Sequence, residues 1–463
     1  MTFPVIFLLY WLIPAGRIRA RKLFLLAISY AIYLSWRPVA ILILLLVTGI
    51  TFFGARIVGA REDGKRKVIC ILFSVLALLP LLLFKYGGFI TENLSSLFSA
   101  IGLNWQPVGL NWFIPVGISF FTFQALGYML DVYHRRCLSE NSLLNHALFV
   151  AFFPQIVSGP ISKAQELIPQ LDSERHFNSE DAICGLKTII WGMAFKFVVA
   201  DRVGMFSDAV FSHPGSYTGL TVLLGILMYS IQIYADFAGY SWMAIGTARM
   251  LGIRLVDNFR RPYLAISITD FWRRWHISLS RWLKDYIYIP LGGNRCSKSR
   301  NYINIAITFL VSGIWHGAAW TFILWGLMHG LVQIVEKMMG IQRLKEGAAM
   351  PVRMLRILVT FCIVTVGWAL FRSSSIGAFF SLVSRIFTGS GPLILPNIGG
   401  ATIFMWITGV LILIAKDLKD EYLVRHFSVR KSLPIQVLAY AILFCIVIGI
   451  GVLDGGQFIY GNF

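Results

Sequence analysis

The sequence predicts an all-α protein that crosses a membrane many times, and two observations carry that prediction. The first is composition. Of 463 residues, 57% are hydrophobic and only 14% are charged, and the mean hydropathy is +0.72. Soluble domains carry roughly 25% charged residues, so this chain lacks the polar surface to face water all round. The second is the length and recurrence of apolar runs. They repeat from the first residues to the last, and each is long enough, or nearly so, to cross about 30 Å of hydrocarbon as a helix. Backbone groups in lipid must pair within their own segment, which favours helices. The short alternating stretches of a β-barrel are not evident. With no repeat of fixed period and no low-complexity tract, the chain reads as one integral-membrane domain, 1–463.

The first spans fall at 2–14, 23–36 and 39–59, with basic clusters at 17–22 and 61–67. Two spans separate the clusters, so both can lie in the cytosol, which puts the N-terminus outside. The N-terminus has no basic leader and no cleavage-like site, so it reads as a retained span rather than a signal peptide. A span at 68–84 then leads to an external loop at 87–109 with an amphipathic stretch, and 111–130 returns to the basic 134–136. The run 148–157 is too short to cross and is followed by Ser158-Gly159-Pro160, which suggests a re-entrant segment packed inside protein. Further helices are expected at 186–206, 219–234 and 241–252. Residues 257–300 are the most polar stretch, mixing Arg, Lys, Trp and Tyr, and read as cytosol-facing helices dipping into the membrane face. Spans resume at 303–315, 318–330, 356–371 and 403–415. The basic 416–431 is expected in the cytosol, and 434–453 exits, leaving 454–463 outside.

The formal net charge is +19. In a soluble protein such an excess points to nucleic acid. Here the basic residues sit in short loops between apolar runs, so the charge is read as topology and attraction to anionic lipid, with no nucleic-acid partner. The six cysteines are scattered singly, without metal-ligand or redox spacing, so neither a disulfide framework nor a zinc site is expected.

Ionisable residues inside apolar stretches are costly and carry functional hypotheses by default. His316 lies in Ile314-Trp315-His316-Gly317-Ala318, flanked by glycines that let another group approach its ring. Imidazole titrates near neutral pH, so it can take a proton from a hydroxyl and return it to a leaving thiolate. The plainer reading is a packing histidine bonded to a carbonyl. His276 lies in Phe271-Trp272-Arg273-Arg274-Trp275-His276, where arginines beside aromatic rings can clamp a phosphate-rich, purine-bearing molecule. The alternative is a membrane-interface segment, where the same residues gather. His329 stands thirteen residues after His316, on a different helix face at ~100° per residue, so the two do not form a metal pair. It reads as structural. Asp236 either lines a polar cavity or pairs with an arginine.

Together these segments resemble the membrane-bound O-acyltransferase family, and most specifically its bacterial branch that O-acetylates exported polysaccharides such as alginate, cellulose or peptidoglycan. The stretch Phe271–His276 with Ser278, Ser280, Trp282, Asp285-Tyr286 and Pro290-Leu291-Gly292-Gly293-Asn294-Arg295 is similar to that branch's most diagnostic region. Ile314-Trp315-His316-Gly317 looks like the family's histidine motif. Pro115-Val116-Gly117-Ile118-Ser119-Phe120-Phe121, Asp131-Val132-Tyr133, Phe153-Pro154, Gly159-Pro160 and the closing Gly456-Gln457-Phe458-Ile459-Tyr460 add to the likeness.

The resemblance implies about eleven spans with re-entrant and interfacial helices around a central funnel. It implies His316 as catalytic histidine and His276 as a second, cytosol-side histidine. It also implies acetyl-CoA as co-substrate from the cytosol, no tightly bound cofactor, and an acceptor reached from outside. Arg273, Arg274, Arg281 and Lys284, with Trp275, would hold the donor. Trp315, Asp236, Asp285 and His329 are candidates for the cavity lining, and no metal is expected. A polymer does not readily enter a sealed funnel, so the expected acceptor is the serine of a periplasmic SGNH-type transferase, or a sugar hydroxyl directly. The expected location is the bacterial inner membrane. Alternatives are a D-alanyl transferase of the same family acting on teichoic acid, and a transporter of lipid or lipid-linked glycan. A transporter predicts paired repeats, and a glycosyltransferase wants paired acids. Neither is evident.

Overall fold

The computed structural model describes residues 2–103, 105, 113–341, 349–393, 395, 399–423 and 433–452. Among them are seventeen helices and no strand. The chain packs as two compact units. One comprises the residues up to Leu186 together with Ala244–Val256, and the other comprises Lys187–Met243 and the residues from Asp257 on.

In the first unit, α1 (Phe3–Leu12), α2 (Ile18–Trp36), α3 (Ala40–Gly59), α4 (Lys65–Ala100) and α5 (Ile118–Tyr133) precede two short helices, α6 (Leu143–Ala151) and α7 (Ala164–Leu171). The basic cluster at 17–22 does more than mark a loop. Arg21 donates to the carbonyls of Ile13 (3.0 and 2.7 Å) and Arg175 (2.7 Å), and Lys22 binds Asn145 at 2.7 Å and Asp172. The short-run expectation at 148–157 has a physical counterpart. After α6 the chain leaves the helix and continues as turns. Gln124 donates to the Phe149 carbonyl (2.5 Å) in the last turn of α6 and accepts from Ser162 N (3.1 Å), so one side chain pairs the helix end and the non-helical backbone after it. The external loop expected at 87–109 is corrected in its first part, because α4 runs through a π turn at Leu82–Tyr86 and continues as helix to Ala100.

Two long helices follow, α8 (Ser179–Ser212) and α9 (Gly219–Met250). The sequence reading splits α9 at 235–240, and the structure corrects it to one helix. Gly239 is not a breaker there. A Cβ on it would come within 2.8 Å of the Gly192 carbonyl, so the glycine lets α8 and α9 approach backbone to backbone.

The second unit continues with α10 (Ile268–Arg274), α11 (Ile277–Leu283), α12 (Lys298–His316), α13 (Trp320–Met338), α14 (Met350–Arg372), α15 (Ile376–Thr388), α16 (Gly400–Leu418) and α17 (Leu433–Ile450). The sequence reading has no helix at α15. Five described helices are long and apolar enough to span a bilayer unaided: α3, α4, α8, α9 and α14. The chain is therefore a multi-pass membrane protein. Helices α12 and α13 fall outside those five because polar side chains (Asn301, Asn304, His329, Glu336) interrupt their apolar faces. Part of the basic 416–431, part of 111–130, and the expected external tail with its Gly456–Tyr460 motif lie outside the described residues.

Candidate active site

Helices α12 and α13 form a tight hairpin about Gly317-Ala318-Ala319. Gly313 and Gly326 face each other at the crossing, where a Cβ on Gly326 would lie 3.0 Å from the Gly313 Cα. Close backbone approach of this kind is how small residues hold membrane helices together. The hairpin fixes His316 at the last residue of α12, 2% exposed. Its ring meets Trp325 (4.8 Å between centroids), Trp315 (4.8 Å) and Phe371 (5.4 Å), all nearly edge-on.

The second histidine comes from a strained turn between α10 and α11. His276 has φ +42°, a left-handed conformation unusual for a residue with a side chain. Asn258 holds it there. Its backbone carbonyl accepts from Ile277 N at 3.0 Å. Its Oδ1 lies 3.2 Å from His276 Nδ1 and accepts from Ser278 N (3.2 Å) and Oγ (2.9 Å). Burial pushes this imidazole down to about 3, so it is neutral near pH 7. Strain of this kind collects at functional sites. His276 and His316 are linked through one indole, since Trp315 lies 5.7 Å from the first ring and 4.8 Å from the second.

A cavity of about 490 Å³ opens beside the hairpin, lined by α10, α11 and the facing sides of α12 and α13. Arg273, Arg281, Lys284 and Lys337 give it four cations. Trp272, Ile305 and Phe309 give it an apolar wall, and Ser312 lies one turn before His316. A second cavity, about 430 Å³, sits at the C-terminal end of α14 and is lined by Phe211, Arg372 and several serines. The C-terminal end of α13, which lines the first cavity at Gln333 and Lys337, lies by the start of α14, where Arg356 donates to the Ile341 carbonyl. The second cavity is thus at the C-terminal end of α14, and no residue of α14 lines the first. His316 touches Phe371, the residue before Arg372 at the second.

The model of the membrane-bound O-acyltransferase family matches residues 28–353, more than half of the chain. The chain belongs to the membrane-bound O-acyltransferase family. It is similar to the probable alginate O-acetylase of Pseudomonas aeruginosa, 38% identical over 395 residues (84% of this chain, 73% of that protein). The peptidoglycan O-acetyltransferase of Helicobacter pylori is 34% identical over 402 residues (81% and 75%). The teichoic acid D-alanyltransferase of Streptococcus thermophilus is 31% identical over 293 residues (60% and 66%). The protein is thus a membrane O-acyltransferase, and every candidate site residue lies inside the matched region.

Against that family identity the candidates sort into different settings. Arg273, Arg281 and Lys284 border the first cavity. Arg274 does not: Asp270 (3.1 Å) and Glu421 (3.2 Å) hold its guanidinium. Trp275 is buried among Phe271, Phe259 and Trp368 rather than at the cavity. Asp236 pairs with a lysine, not an arginine. Lys196 Nζ lies 2.7 Å from both Asp236 and Asp201, in a π turn of α8, with its charge over the Tyr240 ring. Asp285 is half-buried in the π turn that extends α11. His329 is wholly buried between Trp272 (5.3 Å) and Trp325 (4.9 Å), one ring behind the cavity wall.

Sequence reasoning passed over Asn258, Lys337, Ser312 and Glu336. Glu336 accepts from the backbone of Ile268 (2.6 Å) and Thr269 (3.1 Å), capping α10 from the facing helix. An acidic residue near the end of an apolar helix was the available signal. Among the described residues, no group of three His, Cys, Asp or Glu side chains is placed to hold a metal.

Proposed function

We propose that this acyltransferase takes an acetyl group from acetyl-CoA on the cytosolic side of the bacterial inner membrane and passes it to a hydroxyl acceptor on the far side, for O-acetylation of an exported polysaccharide. The observation that carries this reading is the first cavity. CoA bears a diphosphate and a 3′-phosphate at one end and a thioester at the other. Arg273, Arg281, Lys284 and Lys337 match the first, and the apolar wall leading to Ser312 matches the second. Arg274, held by carboxylates, leaves this set, and Lys337 joins it.

His316 acts as general base on the acceptor hydroxyl and returns the proton to the thiolate of CoA, a role commonly worth 10²–10⁴-fold in rate. His276, neutral and fixed by Asn258, holds Trp315 against it. Arg353 and Arg356, in the first turns of α14, support a cytosolic face at that end. The second cavity, beyond Phe371, supports access from the opposite side. The acceptor is the serine of a periplasmic SGNH-type transferase, which then acetylates the polymer. Acetyl is favoured over D-alanyl because the O-acetylating relatives match 81–84% of the chain and the D-alanyltransferase 60%.

The test is acetyl-CoA labelled on the acetyl group, supplied to inside-out vesicles or detergent-purified protein with periplasmic partners added back. CoA release and label transfer by the native protein, lost in a folded His316→Ala variant, support the reading. Absence of acetyl-CoA binding and consumption by the native protein overturns it and brings the D-alanyl reading forward.

A further inference from the structure

Several hydroxyls inside the helices of this protein turn back onto the carbonyl one turn earlier. Ser29 bonds Leu25, Thr48 bonds Leu44 and Ser74 bonds Cys70, each at 2.7 Å, and Thr308 bonds Asn304 at 2.6 Å. Such a bond satisfies a hydroxyl where water is excluded. Ser312 is the next turn after Thr308 on α12 and makes no such bond. It is 1% exposed, and its buried Oγ has no hydrogen-bond partner, yet the residue stands at the wall of the first cavity. Trp272, on α10, does the same at the same cavity: its Nε1 is buried without a partner. A buried donor left unmade is costly and calls for an explanation. Two of them at one cavity wall point to an acceptor atom carried by whatever enters that cavity.

We infer that Ser312 Oγ and Trp272 Nε1 donate hydrogen bonds to the acyl carbonyl oxygen and form the oxyanion site of the transfer step. This rests on the reading that a thioester enters this cavity. Ser312 precedes His316 by four residues, which puts both on one face of α12 with Cβ atoms roughly 5–6 Å apart. A carbonyl oxygen held at Ser312 therefore leaves its carbon beside a hydroxyl facing His316.

The step balances with the groups present. His316 takes the acceptor's O–H proton as the acceptor oxygen bonds to the carbonyl carbon. The C=O π pair moves onto the carbonyl oxygen, where Ser312 and Trp272 stabilise the charge. Collapse re-forms C=O and breaks C–S, and the imidazolium returns its proton to the leaving thiolate. Donors already in place before charge develops bind the transition state more tightly than the ground state. Trp325, whose Nε1 is also buried without a partner, packs between Trp272 (5.6 Å) and His316 (4.8 Å) and positions both rings.

The experiment compares the native protein with Ser312→Ala, Ser312→Thr and Trp272→Phe. It measures acetyl-CoA turnover, KM, and the Kd for S-ethyl-CoA, a thioether that lacks the carbonyl oxygen. Ser312→Ala is expected to lower kcat roughly 10²-fold or more with S-ethyl-CoA affinity unchanged. Trp272→Phe should lower kcat in the same direction, and Ser312→Thr, which keeps the hydroxyl, should recover most of the rate. Retention of native kcat by Ser312→Ala overturns the inference, as does equal loss of kcat and S-ethyl-CoA binding. Recovery of Ser312→Thr also controls for folding, because it adds a methyl at the same site. If the native protein itself neither binds nor consumes acetyl-CoA, the failure belongs to the proposed function instead.

Discussion

His146 and His316 are both buried and both boxed by aromatic rings, but they sit in different settings. His146, in the first unit, packs against Tyr128 (4.7 Å), Phe52 (5.8 Å) and Phe149 (6.2 Å), and its Nε2 lies 3.0 Å from Thr51 Oγ1. None of those residues borders either cavity. His316 ends its helix at a glycine, one turn from a cavity wall with four cations nearby. Burial and aromatic packing are thus common to a histidine that bonds a neighbouring helix and to the one proposed as general base. What separates them is the cavity, its charge, and the buried donors beside it.

The comparison can be broken most directly through the two rings. His316→Ala should lower kcat/KM for acyl transfer by about 10²–10⁴-fold, the usual worth of a general base. His146→Ala should leave the rate near native and lower the melting temperature. Equal losses of activity would end the distinction.

Buried charge offers a second contrast. Lys196, Asp201 and Asp236 form a closed ion cluster inside the second unit. Asp236→Ala should cost about 3 kcal/mol of stability, because removing one partner of a buried pair leaves the rest poorly compensated. Unfolding in detergent, followed by intrinsic fluorescence, measures it, and KM for the donor should hold steady.

The cavity cations should behave the other way. Arg281→Ala and Lys284→Ala should each raise KM for acetyl-CoA roughly tenfold, about 1.4 kcal/mol, with less effect at high salt. Arg274→Ala, which removes one partner each of Asp270 and Glu421, should instead lower stability with KM unchanged. A KM effect as large as that of Arg281→Ala would return Arg274 to the donor site.

The smallest expected change is at Thr51. Thr51→Val removes the partner of His146 and should cost about 1 kcal/mol with no change in rate, readable as a shift in melting temperature.

Hydropathy and residue motifs were enough to place this chain in a membrane, make it helical, point to its family and single out the Trp315-His316-Gly317 turn. These are local properties: a run of apolar side chains or a histidine between small residues is visible without knowing its neighbours. The tertiary structure alone decided who meets whom. It joined 219–234 and 241–252 into one helix, because Gly239 serves a helix crossing rather than a break. It paired Asp236 with Lys196, locked Arg274 between two carboxylates, and brought Lys337 and Ser312 to the cavity in place of Arg274 and Trp275. The physical reason is that apolar content drives a segment into lipid whichever way it faces. The partner of a buried charge or donor depends instead on helix rotation and crossing, and contacts such as Gly313 against Gly326 set those only once the helices have packed.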